Sequence, residues 1–294
     1  MTKKLVSLFL AMALLFGFAL ADGVSLTDMY GREVTLTEPA TRIVALSPAD
    51  CEILCALGCE EALVGRGTYC DYPASILEVP VVESGAEANL EQIIALAPQV
   101  VLLADMAHSA EFVQALENVG ICVVVSNADT IEGVYTAIGN IGTLMGKTAE
   151  AEALIADMQQ SFDEIRAKSA QSGKTVYFEI SPLQWGLWTG GAGTFMQELA
   201  QICGMENIFA DVEGWAEVSE EQVLSRNPDC IVTTTMYFGE GPTPAEEILG
   251  RESWQDVTAV KNGAVFNANS DAATRPGPRL KDAAEALFAF FEGK

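Results

Sequence analysis

The stretch Asn89-Leu-Glu-Gln-Ile-Ile-Ala-Leu-Ala-Pro-Gln-Val-Val-Leu-Leu103 decides the fold, because the chain repeats its pattern once. The second copy is Ser219-Glu-Glu-Gln-Val-Leu-Ser-Arg-Asn-Pro-Asp-Cys-Ile-Val-Thr233, which aligns without a gap 130 residues further on. In each copy a polar residue is followed three positions later by glutamine, a capping-box pattern that predicts the start of a helix. A proline two turns later ends the helix, and the apolar run behind it is typical of a buried strand. One such helix–turn–strand unit in each half predicts two lobes of similar build.

Strand and helix patterns alternate along both halves of the chain. Residues 22–41 carry the alternation and the turn of a β-hairpin. Short apolar runs typical of buried strands follow at residues 42–46, 62–65, 121–126 and 174–180, with helical segments between them. Such alternation is typical of parallel sheets flanked by helices. We therefore predict an α/β protein with two three-layer lobes whose sheets are mainly parallel.

One long helix is predicted between the two halves. Residues 147–170 contain no glycine or proline. Their apolar stripe consists of Ala151, Leu154, Ile155, Met158, Phe162 and Ile165. About 23 helical residues would span roughly 35 Å and form a rigid bridge between lobes. The predicted organisation is a signal peptide over 1–21, an N-terminal lobe over 22–146, a bridging helix over 147–171 and a C-terminal lobe over 172–294.

Residues 1–21 differ from the rest of the chain. Lys3 and Lys4 precede an apolar stretch from Leu5 to Ala21, which closes with a small-x-small pattern. This pattern predicts a cleaved secretory signal peptide. An uncleaved membrane anchor is the alternative, although the apolar run is borderline short for a span. No cysteine follows the run, so no lipid anchor is predicted, and the protein is expected in a periplasm or on the outer face of the cytoplasmic membrane.

The chain is strongly acidic. It has 41 acidic and 16 basic residues and a net charge of −25; loss of Lys3 and Lys4 with the leader leaves 14 basic residues and a charge of −27. This charge argues against nucleic acids and anionic membrane surfaces as partners. It also disfavours a strongly anionic ligand unless the few arginines gather in one place, although a soluble surface accounts for most of the charge.

The chain has seven cysteines, an odd number for an exported protein: Cys51, Cys55, Cys59, Cys70, Cys122, Cys203 and Cys230. The first three recur at every fourth position and share one stripe of a helix. A metal or cluster site is conceivable there, but no CxxC pair or neighbouring histidine supports it. The plainer interpretation is small apolar core residues in an anaerobic organism, where thiols persist.

The order of these motifs resembles a known family. The segments RIVALSPADCEILCALG, VGRGTYCDYP, NLEQIIALAPQVVLL, GWAEVSEEQVLSRNPDCIV and TRPGPRL, with the long helix among them, resemble the extracytoplasmic binding proteins of ABC importers for cobalamin, ferric siderophores and haem. The resemblance covers essentially the whole mature chain, and the repeated pair is its specific part. It implies two α/β lobes joined by one long helix, with a ligand clamped in the cleft between them.

Glu91 and Glu221 occupy the same place in the two copies of the repeat. Each alone is explained by the helix dipole, which favours a carboxylate in the first turn by about 0.3–1 kcal/mol. The resemblance implies a further role, in which one glutamate on each lobe docks against arginines of a dimeric membrane permease. Glu220 is an adjacent candidate for the same role.

The resemblance also implies that loops at the strand ends hold the ligand. Tyr69, Trp215 and Arg275 stand at positions that contact ligand in this family. Further aromatic candidates are Trp185, Trp188 and Tyr237, and Asp271 is expected to pair with Arg275 or to accept a hydrogen bond from ligand amides. Flat aromatic side chains suit a large planar ligand, but ordinary packing is the alternative for each of them.

The chemistry of these loops favours cobalamin or another corrinoid as the ligand. A neutral corrinoid needs aromatic residues and few charges, and the TYCDYP loop resembles the corrinoid-binding members most closely. A tri-catecholate siderophore is strongly anionic and needs clustered arginines or lysines, and the loops offer few lysines. Haem remains an alternative, because His108, the single histidine, and Met106 could supply an axial ligand.

Enzyme functions have little support in the sequence. It contains no G-x-S-x-G, no H-E-x-x-H and no phosphate-binding G-x-x-x-x-G-K-[ST] motif. A tetrapyrrole-acting enzyme such as a chelatase is the alternative from another class, and a haemophore or adhesin without an importer is a third. We expect a monomeric, non-catalytic binding protein with no resident cofactor, whose partners are a metal chelate and a permease dimer.

Overall fold

The computed structural model describes residues 23–84, 88–104, 109–169 and 173–293. Within them the predicted α/β fold is confirmed, with two separate parallel sheets. The predicted leader, Met106 and His108 lie outside the described residues. In the part of the chain that is described, no helix is both long and apolar enough to cross a membrane.

The N-terminal lobe contains a five-stranded parallel sheet. Its strands and those of the preceding hairpin are β1 (Val24–Thr27), β2 (Glu33–Leu36), β3 (Ile43–Ala45), β4 (Leu63–Gly67), β5 (Val81–Val82), β6 (Val100–Leu103) and β7 (Cys122–Val125). Its helices are α1 (Pro48–Ala56), α2 (Leu90–Ala95), α3 (Ala110–Asn118) and α4 (Ile131–Leu144). The sheet order is β5-β4-β3-β6-β7. Strands β1 and β2 pair antiparallel, which confirms the hairpin predicted for residues 22–41.

The C-terminal lobe contains a four-stranded parallel sheet of order β10-β8-β12-β13 and a separate antiparallel ribbon of β9 and β11. The strands are β8 (Thr175–Glu179), β9 (Leu187–Gly190), β10 (Glu206–Asn207), β11 (Trp215–Val218), β12 (Cys230–Thr233) and β13 (Val265–Asn267). The helices are α6 (Phe195–Ile202), α7 (Glu220–Arg226), α8 (Pro244–Gly250), α9 (Thr258–Lys261), α10 (Ser270–Thr274) and α11 (Leu280–Glu292).

The repeated units form the helix–strand pairs α2–β6 and α7–β12. At Ser219 the full predicted capping box is present, with hydrogen bonds between Ser219 and Gln222 in both directions. In the first copy Asn89 accepts the expected bond from the Gln92 amide at 3.1 Å. The Gln92 side chain, however, accepts from the backbone amide of Glu83 instead of closing the box. Both strands are buried inside their sheets, which explains their unbroken apolar runs.

Both repeated helices end in the same unusual backbone conformation. Ala97 and Asn227 each have a φ of 46°, and they are the two non-glycine residues with positive φ among those the structure describes. Each is followed by a proline, Pro98 or Pro228. The proline ring disfavours right-handed helical geometry in the residue before it, so the chain leaves the helix through the left-handed region.

The long helix α5 (Thr148–Lys168) lies between the two sheets in the sequence, within the predicted span of 147–171. Its 21 residues correspond to about 32 Å. Ala151, Met158, Phe162 and Ile165 are buried. They belong to one continuous apolar cluster that contains core residues of both lobes. The helix packs against α4, α6 and α11, so it is fixed to both lobes and is not a free spacer.

Helix α1 begins directly after β3 and buries an acidic residue in its first turn. Asp50 is fully buried, and neither carboxylate oxygen has a hydrogen-bond partner among the described residues. Burial raises the pKa of Asp50 to about 7, although the nearby Ser126 hydroxyl lowers it in part. The folded chain therefore favours the neutral acid.

Asp50→Asn should make the protein less sensitive to pH. Because the folded pKa lies above the usual 3.8, the folded chain holds a proton between about pH 4 and pH 7 that the unfolded chain has lost, and stability falls as pH rises through that window. The neutral variant should avoid this loss and exceed the wild type by up to about 4 kcal/mol at pH 8, with little difference at pH 4. Urea unfolding at several pH values measures this, with exposed Asp163→Asn as control. An unchanged difference between pH 4 and pH 8 would contradict the assignment.

Candidate functional site

The candidate ligand residues lie beyond the carboxyl ends of the parallel strands or on the β9–β11 ribbon. Tyr69 follows β4, Tyr237 follows β12, and Asp271 and Arg275 follow β13. Trp188 lies in β9 and Trp215 lies in β11, the two strands of the ribbon. In open α/β sheets these strand ends are where ligands bind. The segments from the two lobes meet at this edge through two sets of polar contacts.

The first set of contacts centres on Arg275. Its Nη1 lies 3.1 Å from Glu52 Oε1 and 2.8 Å from Asp71 Oδ1, both in the N-terminal lobe. Its Nη2 lies 2.9 Å from Asp271 Oδ1, so the expected pair of Asp271 and Arg275 is present. The guanidinium is therefore held by three carboxylates and is not free to meet an anionic ligand.

Arg279 adds a second guanidinium to the same contact. It donates from Nε and Nη2 to both carboxylate oxygens of Glu52, at 2.8 and 2.6 Å. Its guanidinium carbon lies 4.1 Å from the centre of the Tyr72 ring. The Glu52 side chain is 2% exposed, so its carboxylate is shielded from water and is paired with these two arginines. We call Glu52, Asp71, Asp271, Arg275 and Arg279 the interlobe clasp.

A second set of contacts joins the lobes at Asp129, in the segment between β7 and α4. Trp215 donates from Nε1 to Asp129 Oδ1 at 2.9 Å, and the Phe195 amide donates to the Asp129 carbonyl. The Trp215 ring packs edge-on against Phe195 at 5.0 Å between centroids. These bonds orient the indole, of which a part remains exposed.

Several aromatic side chains at this edge of the sheets remain exposed to solvent. The Tyr69 residue is 68% exposed, and Trp188 and Tyr237 are 41% and 47% exposed. Trp188 lies opposite Glu217 in the ribbon. The Tyr237 hydroxyl donates to the Gly241 carbonyl at 3.2 Å, which orients the ring within its loop. Exposed aromatic residues on both lobes provide flat apolar surfaces for a ligand.

The structure adds residues that no sequence motif singles out. Glu52, Asp71, Arg279 and Asp129 take part in contacts between the lobes, and Phe238, beside Tyr237, is 85% exposed. The motifs that carry the resemblance include Asp71 in TYCDYP and Arg279 in TRPGPRL. A search of those motifs for opposite charges could have found this pair of segments, whereas nothing local marks Asp129.

The two predicted docking glutamates have equivalent positions. Glu91 and Glu221 are each the second residue of their helix, α2 or α7, and both are exposed. Hydrogen bonds from its own backbone amide and from Ser219 lower the pKa of Glu221, which keeps it ionised. Glu220 differs, because its carboxylate accepts hydrogen bonds from Ser253 and from Trp254 Nε1. Glu220 therefore has a structural role in the C-terminal lobe.

Neither of two open surface depressions belongs to this site. Each has a volume of about 410 Å³. One lies between β2 and the start of β7, and the other lies along α3. None of the candidate residues lines either depression.

The described residues contain no group of three or more His, Cys, Asp or Glu side chains that could hold a metal ion. Cys51, Cys55 and Cys59, for which the sequence made a metal site conceivable, do not form such a group. A bound metal chelate would be cargo and would need no such cluster.

Glu52→Gln should destabilise the protein, because it removes the charge that pairs with two partly buried arginines. Removing one partner of a buried ion pair typically costs several kcal/mol. Since Arg275 keeps Asp71 and Asp271, we expect a loss of about 2–3 kcal/mol in the free energy of unfolding. Asp163→Asn, which removes an exposed ion pair with Arg166, should cost less than about 1 kcal/mol. If both substitutions lower the free energy of unfolding in urea equally, Glu52 contributes no more to stability than an exposed ion pair does.

The comparisons with known proteins agree with this architecture. A family model described as "Periplasmic binding protein" matches residues 43–272. The chain is 33% identical over 271 residues to the uncharacterized ABC transporter substrate-binding lipoprotein YvrC of Bacillus subtilis, covering 90% of this chain and 84% of that protein. It is 31% identical over 253 residues to the vitamin B12-binding protein of Salmonella typhi, covering 84% and 89%.

Solved structures are similar over nearly their whole length. The periplasmic vitamin B12 binding protein BtuF of Vibrio cholerae superposes with a TM-score of 0.72 at 27% identity, over 86% of this chain and 97% of that one. The periplasmic haem-binding protein HutB of Vibrio cholerae gives 0.78 at 22% identity, over 85% and 98%, a likeness of fold alone. The family predicted from the motifs is confirmed: this chain belongs to the periplasmic binding protein family, with relatives among the substrate-binding proteins of ABC transporters.

Proposed function

We propose that this protein is an extracytoplasmic binding protein that captures a metal chelate, a corrinoid such as cobalamin, and delivers it to an ABC importer. The observation that carries the proposal is the combination of exposed aromatic side chains at the strand ends with arginines already neutralised by carboxylates. Tyr69, Trp188, Trp215 and Tyr237 are the proposed ligand contacts. The vitamin B12-binding relatives, at 28–31% identity over most of the chain, support this ligand.

The charge of the clasp favours a neutral ligand over an anionic one. Arg275 and Arg279 face three carboxylates, those of Glu52, Asp71 and Asp271. The clasp therefore carries a net negative charge and would repel a tri-catecholate siderophore. In this proposal Arg275 and Asp271 orient the edge of the site, and they reach the ligand only where it displaces a bond of the clasp.

Haem and hydroxamate siderophores are the alternatives within the same family, and a chelatase is the alternative of another class. An aromatic surface also suits a porphyrin, and the haem-binding proteins of similar structure share the fold. A chelatase would consume its tetrapyrrole substrate and release a product. Our proposal is binding without turnover, by an exported monomer that meets a permease dimer at the membrane.

Titration with chelates tests the ligand. Cyanocobalamin should bind more tightly than haemin or a ferric hydroxamate in isothermal calorimetry, and its absorbance spectrum should show no conversion to a new product. Tyr69→Ala should weaken cobalamin binding about tenfold, which is about 1.4 kcal/mol for a stacked aromatic ring. The control Tyr30→Ala removes another exposed tyrosine, which is 45% exposed and lies in the β1–β2 turn. This substitution should leave the Kd for cobalamin unchanged.

Three outcomes of this titration contradict the proposal in different ways. Absence of binding with all three chelates would overturn the metal-chelate function. Tighter binding of haemin would move the assignment to haem. Equal effects of Tyr69→Ala and Tyr30→Ala would place the ligand away from the loop after β4.

The double substitution Glu91→Ala and Glu221→Ala tests docking to the permease. Uptake of labelled ligand by the native transporter should fall by more than tenfold, because one charge on each lobe sets the orientation of the complex. Ligand Kd should stay within about twofold, since neither residue is a proposed ligand contact. Glu111→Ala is a matched control, because Glu111 is also the exposed second residue of a capped helix, α3. Unchanged uptake in the double variant, or an equal loss with Glu111→Ala, would contradict docking through this pair.

A further inference from the structure

Two cysteine thiols approach each other beneath the interlobe clasp. Cys51 lies in α1, and Cys70 lies in the segment that follows β4. Their Sγ atoms lie 3.7 and 3.8 Å from the same acceptor, the backbone oxygen of Ala45. The interaction between the two thiols also contributes to raising the pKa of Cys51. Both residues are at most 1% exposed.

The neighbours of both cysteines belong to the site. Glu52, next to Cys51, accepts both arginines of the clasp. Asp71, next to Cys70, forms an ion pair with Arg275. Tyr69, on the other side of Cys70, is the exposed ligand contact proposed for this lobe. A covalent bond between the two cysteines would therefore join the N-terminal carboxylates of the clasp into one unit.

We infer that Cys51 and Cys70 form a disulfide in the exported protein, and that this bond fixes the loop carrying Tyr69 and Asp71 to α1. The reaction is thiol–disulfide exchange with a disulfide oxidant, either a small-molecule or a protein disulfide. One cysteine thiolate attacks the oxidant to give a mixed disulfide and releases one thiol. The second thiolate then attacks the bound cysteine sulfur and releases the other thiol. The two cysteines lose two protons and two electrons in total, and the oxidant becomes two thiols.

Burial determines when this reaction occurs. In the folded chain the thiols are covered, and the interaction with Cys70 together with burial raises the pKa of Cys51. Thiolate is the reacting species, so exchange is slow once the fold is complete. The bond forms during folding after export, and burial then protects it from reductants.

Cys203 is a buried cysteine of the C-terminal lobe. Cys203 donates toward the Ala284 carbonyl, and burial alone raises its pKa, to about 12. Cys55 lies on the same helix as Cys51 and Cys59 follows the end of that helix, whereas Cys70 comes from the loop after β4. Cys203 therefore provides a control that is buried like the pair.

Peptide mapping tests the pair directly. The exported chain, refolded with glutathione disulfide, is alkylated in denaturant and digested with a glutamate-specific protease. Cleavage after Glu52 and Glu60 separates Cys51 from Cys55 and Cys59, and Cys70 lies in a further peptide. The expected product joins the Cys51 and Cys70 peptides, and Cys203→Ala should retain this product. Quantitative alkylation of Cys51 and Cys70, or a bond from either to another cysteine, would overturn the inference.

Thermal unfolding provides the second measurement. The disulfide would close a loop of about 20 residues, so protein refolded in dithiothreitol should have a Tm about 5–10 °C lower than oxidised protein. The double variant Cys51→Ala and Cys70→Ala should show no difference between the two conditions. A joined pair whose Tm is the same after oxidising and reducing refolding would overturn its role in fixing the loop. Neither measurement needs ligand, so failure here is separate from failure of the proposed function.

Discussion

The interlobe clasp depends on one nearly buried carboxylate. Glu52 accepts hydrogen bonds from Arg275 and Arg279 of the opposite lobe and is 2% exposed in its side chain. A carboxylate in such surroundings is unfavourable unless it is paired. The position of α1 in one lobe and of the segment after β13 in the other are therefore energetically linked. Any ligand that separates these segments has to replace those bonds, so the clasp sets the resting geometry of the cleft edge.

The same contact occupies the positive charge beside the candidate site. Sequence alone suggested Arg275 as a ligand residue, and its position at the strand ends agrees with that. In the structure, however, its guanidinium already has three carboxylate partners, so it contributes no free positive charge. The exposed aromatic rings then provide the available binding surface. The absence of a free positive charge on these arginines, together with flat apolar faces, is the physical basis for proposing a corrinoid.

Rigidity on either side of the cleft comes from different sources. Helix α5 shares one apolar cluster with both lobes through Met158, Phe162 and Ile165, so it resists changes in their separation. The loop carrying Tyr69 is short and polar, and its position depends on Asp71 and on the packing of Cys70. Trp215 is held across the cleft by Asp129. Dispersion and burial therefore fix the framework, whereas directional bonds hold the proposed ligand contacts.

The sequence by itself determined the parallel α/β lobes, the long helix, the repeated helix–strand units and the family. These follow from local patterns of caps, prolines and apolar periodicity, and Ala97 and Asn227 even share the same φ. Only the tertiary structure decided which charges pair, because Arg275 lies 223 and 204 residues from Glu52 and Asp71. It also separated Glu220, which is bonded to Trp254, from exposed Glu221. No local pattern encodes partners so distant in the chain; folding brings them together, and burial then makes each pairing obligatory.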